Sequence, residues 1–95
     1  MHYIALIHKD PDSGYGVSFP DLPGVIAVAG TLDEALAEAL AEAAQAIAFA
    51  LEDRPGTHPR RRGLDELRAD PDFTEQARDA VVAAIAPAPG SLAAE

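Results

Sequence analysis

The sequence contains no cysteine, which excludes disulfide bonds and thiolate metal sites. It also lacks any apolar run close to the roughly 20 residues that a membrane-spanning helix needs. Residues 1–4 have neither the basic start nor the small-residue cleavage site of a secretory signal peptide. These absences predict a cytoplasmic protein that does not enter a membrane.

Aromatic residues are scarce, at 5% of the chain, and tryptophan is missing. The 95 residues suffice for one domain with one modest core. Hydrophobic residues make up 48% of the chain, although nearly half of them are alanine. A core made largely of small side chains buries little apolar surface. We therefore expect added stability from self-association, as a dimer or tetramer, or from a partner protein.

Basic residues are few, with seven Lys and Arg against sixteen Asp and Glu, for a net charge of −9. Residues 1–53 hold one cation, Lys9, against nine acids, whereas residues 54–95 hold six arginines against seven acids. An acidic domain repels nucleic-acid backbones, so a basic protein is the complementary partner. The alternative is that the charge only keeps the protein soluble.

The pattern of apolar and turn residues predicts an α+β domain. Short runs rich in β-branched and aromatic residues, separated by Pro, Gly and Asp, are typical of strands. The long segment rich in alanine, leucine and glutamate is typical of a helix. The predicted elements are strands at 2–9, 15–19 and 25–29, a helix at 31–52, a helical turn at 64–69, a helix at 70–78 and a strand at 80–86.

The order β-β-β-α-α-β predicts a three-stranded antiparallel sheet plus a final strand, covered by one long helix. The helical crossover can bring the final strand back parallel to an earlier strand. We expect one domain over residues 1–87 and a flexible tail over residues 88–95.

The long helix carries both an apolar and an acidic face. Thr31 and Glu34 fit a capping box at its start. Glu34, Glu38 and Glu42 form a ridge, expected on the side away from the sheet, and like charges at this spacing cost a few tenths of a kcal/mol per pair. With Phe49 in the same sector, the ridge is a candidate docking site for a basic protein, or simply a solvated helix face. The stripe expected to cover the sheet is Leu32, Leu36, Leu40, Ala43, Ile47 and Leu51.

Two loops carry further candidate residues. Asp21 and Leu22 belong to Phe-Pro-Asp-Leu-Pro-Gly at residues 19–24, where the prolines stiffen the loop and Asp21 can form an Asx turn. The loop is either purely structural or a partner contact. The second loop contains Arg60, Arg61 and Arg62, which could contact RNA, offset the acidic half of the chain, or contact a neighbouring subunit.

Residues 15–24, Tyr-Gly-Val-Ser-Phe-Pro-Asp-Leu-Pro-Gly, followed by Gly-Thr-Leu-Asp-Glu-Ala at residues 30–35, resemble the N-terminal domain of HicB antitoxins. The resemblance covers roughly residues 2–87. It implies a degraded RNase H-like fold that binds and masks a small basic HicA toxin, an mRNA-cleaving ribonuclease. HicB antitoxins usually add a C-terminal DNA-binding domain, which this sequence does not contain, so DNA binding is not predicted.

We therefore predict a type II antitoxin that acts by covering its toxin, without enzymatic activity. No catalytic, cofactor-binding or metal-binding residue is assigned, because the first predicted strand offers no carboxylate to an RNase H-type metal site. The alternatives are a partnerless oligomeric scaffold or ligand-binding regulator, and a residual metal-dependent nuclease. The candidate partner-binding residues are Glu34, Glu38, Glu42, Phe49, Asp21 and Leu22.

Overall fold

The computed structural model describes residues 2–56 and 59–86. The predicted order of strands and helices is confirmed, and the helical turn at 64–69 forms a short helix of its own. The predicted tail at 88–95 lies outside the described residues. The elements are β1 (Tyr3–Lys9), β2 (Tyr15–Ser18), β3 (Ile26–Ala29), α1 (Leu32–Asp53), α2 (Leu64–Arg68), α3 (Pro71–Ala77) and β4 (Ala80–Ile85).

Local signals in the sequence fix where α1 and α3 begin. The Thr31 hydroxyl accepts a hydrogen bond from the Glu34 amide at 3.1 Å, and the Glu34 carboxylate accepts one from the Thr31 amide at 3.1 Å. The predicted capping box is therefore confirmed. At α3, the Asp70 carboxylate accepts a hydrogen bond from the Asp72 amide at 2.9 Å, with Pro71 at the first helical position.

The four strands form one sheet in the order β3-β2-β1-β4, and every neighbouring pair is antiparallel. The expectation of a parallel final strand is wrong, because Tyr3 lies opposite Ile85 in an antiparallel β1–β4 pair. Two contacts give the reason. The Tyr3 hydroxyl meets the Pro59 carbonyl oxygen at the start of β1, and His8 meets the Gln76 carbonyl oxygen near its end. Between α1 and β4, the chain therefore runs through α2 and α3 from the start of β1 to its end. The strand β4 then runs in the direction opposite to β1.

The central strand β1 is buried on both faces of the sheet. Its side chains alternate, as they must in a strand, so that Tyr3, Ala5 and Ile7 join the core under α1. Ile4 and Leu6 point to the other face, where Leu67 of α2 and Phe73 of α3 pack against them. One long helix therefore covers one face, as predicted, and α2 with α3 forms a second layer over the other.

The buried stripe of α1 differs from the predicted one. Ala35, Ala39, Ala43 and Ile47 are its buried residues, whereas Leu32 and Leu40 are exposed and Leu36 and Leu51 only flank the core. The small alanine side chains let the helix approach the sheet closely. The contact between α1 and the sheet is therefore made mostly by alanines. A prediction based on large apolar residues does not select them.

Candidate protein-docking surface

The strand β3 forms one edge of the sheet, and its large side chains face outward. Ile26 is 70% exposed and Val28 is 79% exposed, although both belong to a strand whose other side chains, Ala27 and Ala29, pack toward the α1 core. Sequence analysis did not select Ile26 and Val28. The alternation of large and small residues over 25–29 is the signal that distinguishes the two faces.

The predicted acidic ridge lies on the flank of α1 beside β3, rather than directly opposite the sheet. Glu34 and Glu38 line a shallow depression with Val28. Glu42 lines the next depression along the helix, together with Ile26 and Phe49. The side chains of Ile26 and Val28 alternate with Ala27 and Ala29, so they point to the sheet face away from α1. We call the combined surface on both sides of the β3 edge the β3–α1 groove; its residues are Ile26, Val28, Glu34, Glu38, Glu42 and Phe49.

The groove combines negative charge with exposed apolar surface. Phe49 is 62% exposed, and the 22 residues of α1 include no lysine or arginine. None of the ion pairs within residues 2–56 and 59–86 involves Glu34, Glu38 or Glu42. Lys9 is the one basic residue in residues 1–53, and its amine donates instead to the carbonyl oxygens of Asp10 and Ser13.

Asp21 and Leu22 do not line this groove. Leu22 is buried in the core under α1. Asp21 accepts hydrogen bonds from the backbone amide and from the guanidinium of Arg62, with Oδ1 2.8 Å from both Nε and Nη2. The structure thus gives both residues a role in anchoring the 19–24 loop, in which Gly24 takes a positive φ of 87°.

Arg62 is distinct from its two arginine neighbours. It also contacts the Asp70 carboxylate at 3.1 Å, so one side chain links the 19–24 loop to the start of α3. The hydrogen bonds that the Arg62 guanidinium donates to the carboxylates of Asp21 and Asp70 raise the pKa of Arg62. The pKa of Asp70 is lowered, first by the amide of Asp72 and then by Arg62. Arg60 and Arg61 are exposed.

The structure brings no three metal-ligating side chains together within the described ranges. His8 instead places Nε2 2.8 Å from the carbonyl oxygen of Gln76. No helix within residues 2–56 and 59–86 is long and apolar enough to cross a membrane.

Comparison with known proteins identifies the family to which this chain belongs. The sequence model of the HicB-like antitoxins of bacterial toxin–antitoxin systems matches residues 3–90. The chain belongs to the HicB-like antitoxin family. The family consists of antitoxins, so the predicted resemblance and the prediction that the chain is not an enzyme are both confirmed by this match.

Solved structures of HicB proteins share the fold. The N-terminal domain of the Burkholderia pseudomallei antitoxin HicB is 28% identical, with a TM-score of 0.74 over 90% of this chain and 96% of that one. The chain spans 62% of the longer B. pseudomallei HicB structure, with the same identity and TM-score. A structure of the HicA3 and HicB3 toxin–antitoxin complex is 21% identical, with a TM-score of 0.68 over 94% of this chain and 100% of that one. No curated protein matches the sequence.

Proposed function

We propose that this HicB-like chain neutralises a small basic HicA-like ribonuclease toxin in the cytoplasm by binding it at the β3–α1 groove and covering it. The observation that carries the proposal is that the edge strand β3 is flanked by three glutamates and exposed Phe49 on its α1 side, and presents exposed Ile26 and Val28 on its other face. The mechanism is steric and electrostatic and requires no bond to be made or broken.

The apolar residues of the groove would supply most of the affinity. Burying one large apolar side chain contributes about 1.5–3 kcal/mol, and aromatic residues at the centre of an interface often dominate binding. Phe49 is therefore the strongest candidate anchor. At 62% exposure, most of the Phe49 side chain is free to contact a partner.

The glutamate ridge would supply orientation and selectivity for a basic partner. Without an interleaved cation, the ridge costs the isolated helix a few tenths of a kcal/mol per pair of like charges. A basic surface docked on the ridge removes this repulsion and raises the association rate through long-range attraction. The structure of HicA3 with HicB3 supports a toxin as partner, because that relative is a toxin–antitoxin complex.

The test is charge reversal of Glu38 and Glu42 in the full chain, co-expressed with a HicA-like protein, for which the product of the adjacent gene is the first candidate. We expect the wild-type chain to co-purify with that protein and to inhibit its RNA cleavage. Glu38→Lys with Glu42→Lys should weaken binding at least tenfold, since opposed charges become like charges. Isothermal titration calorimetry at two salt concentrations measures the loss, which high salt should reduce.

The matched control is Asp65→Lys with Asp79→Lys, which changes the net charge equally at two exposed positions outside the groove. This variant should bind within about threefold of wild type, because long-range attraction alone is mild and screened by salt. Phe49→Ala should weaken binding with little change in salt dependence. Equal losses in the ridge and control variants would show that net charge, rather than the groove, matters. A wild-type chain that fails to bind would contradict the proposed function.

A further inference from the structure

The strand β3 has one side whose backbone groups lack a strand to pair with. Within residues 2–56 and 59–86, β3 pairs only with β2. The strand Ile26–Ala29 contains no charged residue, glycine or proline. It therefore lacks the charges and prolines with which proteins protect the edge of a sheet against a further strand.

The hairpin between β1 and β2 shows how the backbone groups of β2 are directed. The Asp10 amide donates to the Gly14 carbonyl oxygen at 2.9 Å, which makes these two residues a hydrogen-bonded pair. Hydrogen-bonded and non-hydrogen-bonded pairs alternate along an antiparallel ladder. The next pair, Lys9 with Tyr15, is therefore non-hydrogen-bonded, and the amide and carbonyl of Tyr15 point to β3 instead.

The same alternation identifies the free backbone groups of β3. Tyr15 lies opposite Ala29, so these two residues form a hydrogen-bonded pair. The Ala29 carbonyl oxygen agrees with this, because it lies where a side chain on Gly14 would collide with it. Val28 and Ile26 alternate with the bonded residues, so their amides and carbonyls point away from β2. The outer edge of β3 therefore offers the backbone of Ile26 and Val28.

The side chains that flank this edge differ between the two faces of the sheet. On the α1 side, Glu34 and Glu38 line the depression beside β3, and Glu42 lies farther along the helix. The Glu34 carboxylate already caps α1, which leaves Glu38 and Glu42 as the acceptors for a partner. On the other face, the side chains of Ile26 and Val28 are exposed. One face of the edge is thus acidic and the other is apolar.

We propose that the basic partner binds by adding a strand to β3, so that the four-stranded sheet gains a fifth strand. The inference rests on the proposed function and deepens it by naming the part of the partner that binds. An extended segment of the partner exchanges backbone hydrogen bonds with Ile26 and Val28, as peptides do when they bind to a sheet edge.

The two faces of the edge define the sequence of that segment. Side chains alternate between the two faces of a strand, and residues opposite one another in a pair lie on the same face. Residues of the segment on the α1 side meet Glu38 and Glu42, so they are basic. The residues between them lie beside Ile26 and Val28, so they are apolar. The partner segment therefore alternates lysine or arginine with apolar residues.

Charge selects a basic partner rather than a second copy at this edge. Residues 1–53, which contain β3 and α1, have one cation against nine acids. Two copies paired through β3 would bring their glutamates together, and like charges across an interface oppose binding. A strand with basic residues on its α1 side instead removes the repulsion among the glutamates.

The first test follows amide hydrogen exchange by NMR in the full chain, alone and saturated with the HicA-like product of the adjacent gene. In the free chain, the amides of Ile26 and Val28 should exchange rapidly, whereas those of Ala27 and Ala29 should exchange more slowly because they bond to β2. Binding should slow exchange at Ile26 and Val28 by about tenfold or more. A complex in which these two amides stay unprotected would overturn strand addition and leave the proposed function standing. A chain that does not bind would contradict both.

The same measurement on the HicA-like protein identifies the segment that binds. A stretch of about four to six residues should become protected, with basic and apolar residues in alternation. A protected segment without this alternation would overturn the proposal. Protection of Ile26 and Val28 that appears in the free chain as its concentration rises would place a second copy at the edge, which would also overturn it.

The second test is Val28→Pro, which removes one outward amide. Proline has no amide donor, and it is tolerated on an edge strand where that amide faces solvent. Val28→Ala is the matched control, because it removes the side chain and keeps the amide. Val28→Pro should bind at least about fivefold more weakly than Val28→Ala, because a backbone hydrogen bond to the added strand is lost.

Far-UV circular dichroism checks that both variants are folded. Equal affinities of two folded variants would overturn strand addition, whereas weaker binding of the Glu38 and Glu42 variants would still support the groove. The exchange measurement needs no substitution, so it decides the question whatever the fold of Val28→Pro.

Discussion

At the scale of single residues, Tyr3 holds the loop after α1 against the start of the sheet. Its side chain is buried, and its hydroxyl donates a hydrogen bond to the Pro59 carbonyl oxygen at 2.7 Å. Burial raises the pKa of Tyr3, Arg61 opposes this shift, and Asp21 adds to it. The phenol therefore stays protonated and keeps donating throughout the physiological pH range.

Tyr3→Phe should lower the free energy of unfolding by about 1 kcal/mol, because the ring is kept while the Pro59 carbonyl loses its partner. Urea denaturation followed by circular dichroism measures the change. Tyr15→Phe is the control, since the Tyr15 hydroxyl has no hydrogen-bond partner among the described residues, and we expect a change of at most a few tenths of a kcal/mol. Equal effects would show that the Pro59 contact contributes nothing.

Asp70 makes the start of α3 sensitive to acid. Its pKa lies below its ordinary value of 3.8, chiefly because of the Asp72 amide and then Arg62. A carboxylate with a lowered pKa contributes stability that is complete above the ordinary value and is lost as the pH falls through the lowered one. Asp70→Asn should therefore be less stable than wild type at neutral pH.

The difference between wild type and Asp70→Asn should shrink as the pH falls through the ordinary aspartate pKa of 3.8 and below it, because the wild-type carboxylate then becomes protonated. Urea midpoints measured across this range give the result. A difference that stays constant with pH would mean that the charge of Asp70 is not what stabilises α3.

At the scale of elements, local signals were sufficient to predict most of the secondary structure. The capping box at Thr31 and the Asp-Pro start of α3 act through neighbouring residues, so the sequence contains the whole signal. The direction of β4 depends instead on where α2 and α3 pack. That packing is set by contacts between distant residues, such as Leu67 with β1, which no local pattern encodes.

The candidate site was predictable only in part, for the same reason. A row of glutamates without cations marks Glu34, Glu38 and Glu42 as unusual in the sequence itself. Their position near β3 depends on how α1 lies across that strand. The packing of α1 depends in turn on the buried alanines between the helix and the sheet. Asp21 was singled out within its own loop, whereas its partner Arg62 is distant in the chain.

The second helical layer should be as important for stability as α1, despite its short helices. Leu67→Ala should lower the free energy of unfolding by about 2–5 kcal/mol. Ile47→Ala should lower it by a similar amount, because both side chains are fully buried and their truncation leaves a cavity. Leu40→Ala should cost much less, since Leu40 is exposed although it belongs to the predicted stripe. Chemical denaturation of the three variants measures the order. A Leu67→Ala variant as stable as Leu40→Ala would show that the layer formed by α2 and α3 does not stabilise the fold.

At the scale of the whole molecule, the chain separates its charge between two ends of one sheet. The acidic end presents glutamates beside an apolar edge, and the neutral end presents an apolar edge alone. The acidic end can thus meet a basic protein without obstructing the neutral end. Most of the net charge of −9 lies in the half that would meet the toxin.

The pairing of β1 with β4 also has a consequence for biosynthesis. Of its two neighbours in the sheet, β1 receives β4 only when residues 80–85 emerge from the ribosome. Until then Ile4 and Leu6 have no covering layer, because Leu67 and Phe73 are themselves made late. Contacts between segments so distant in the chain slow folding, so β1 reaches its final packing only after β4 has been synthesised.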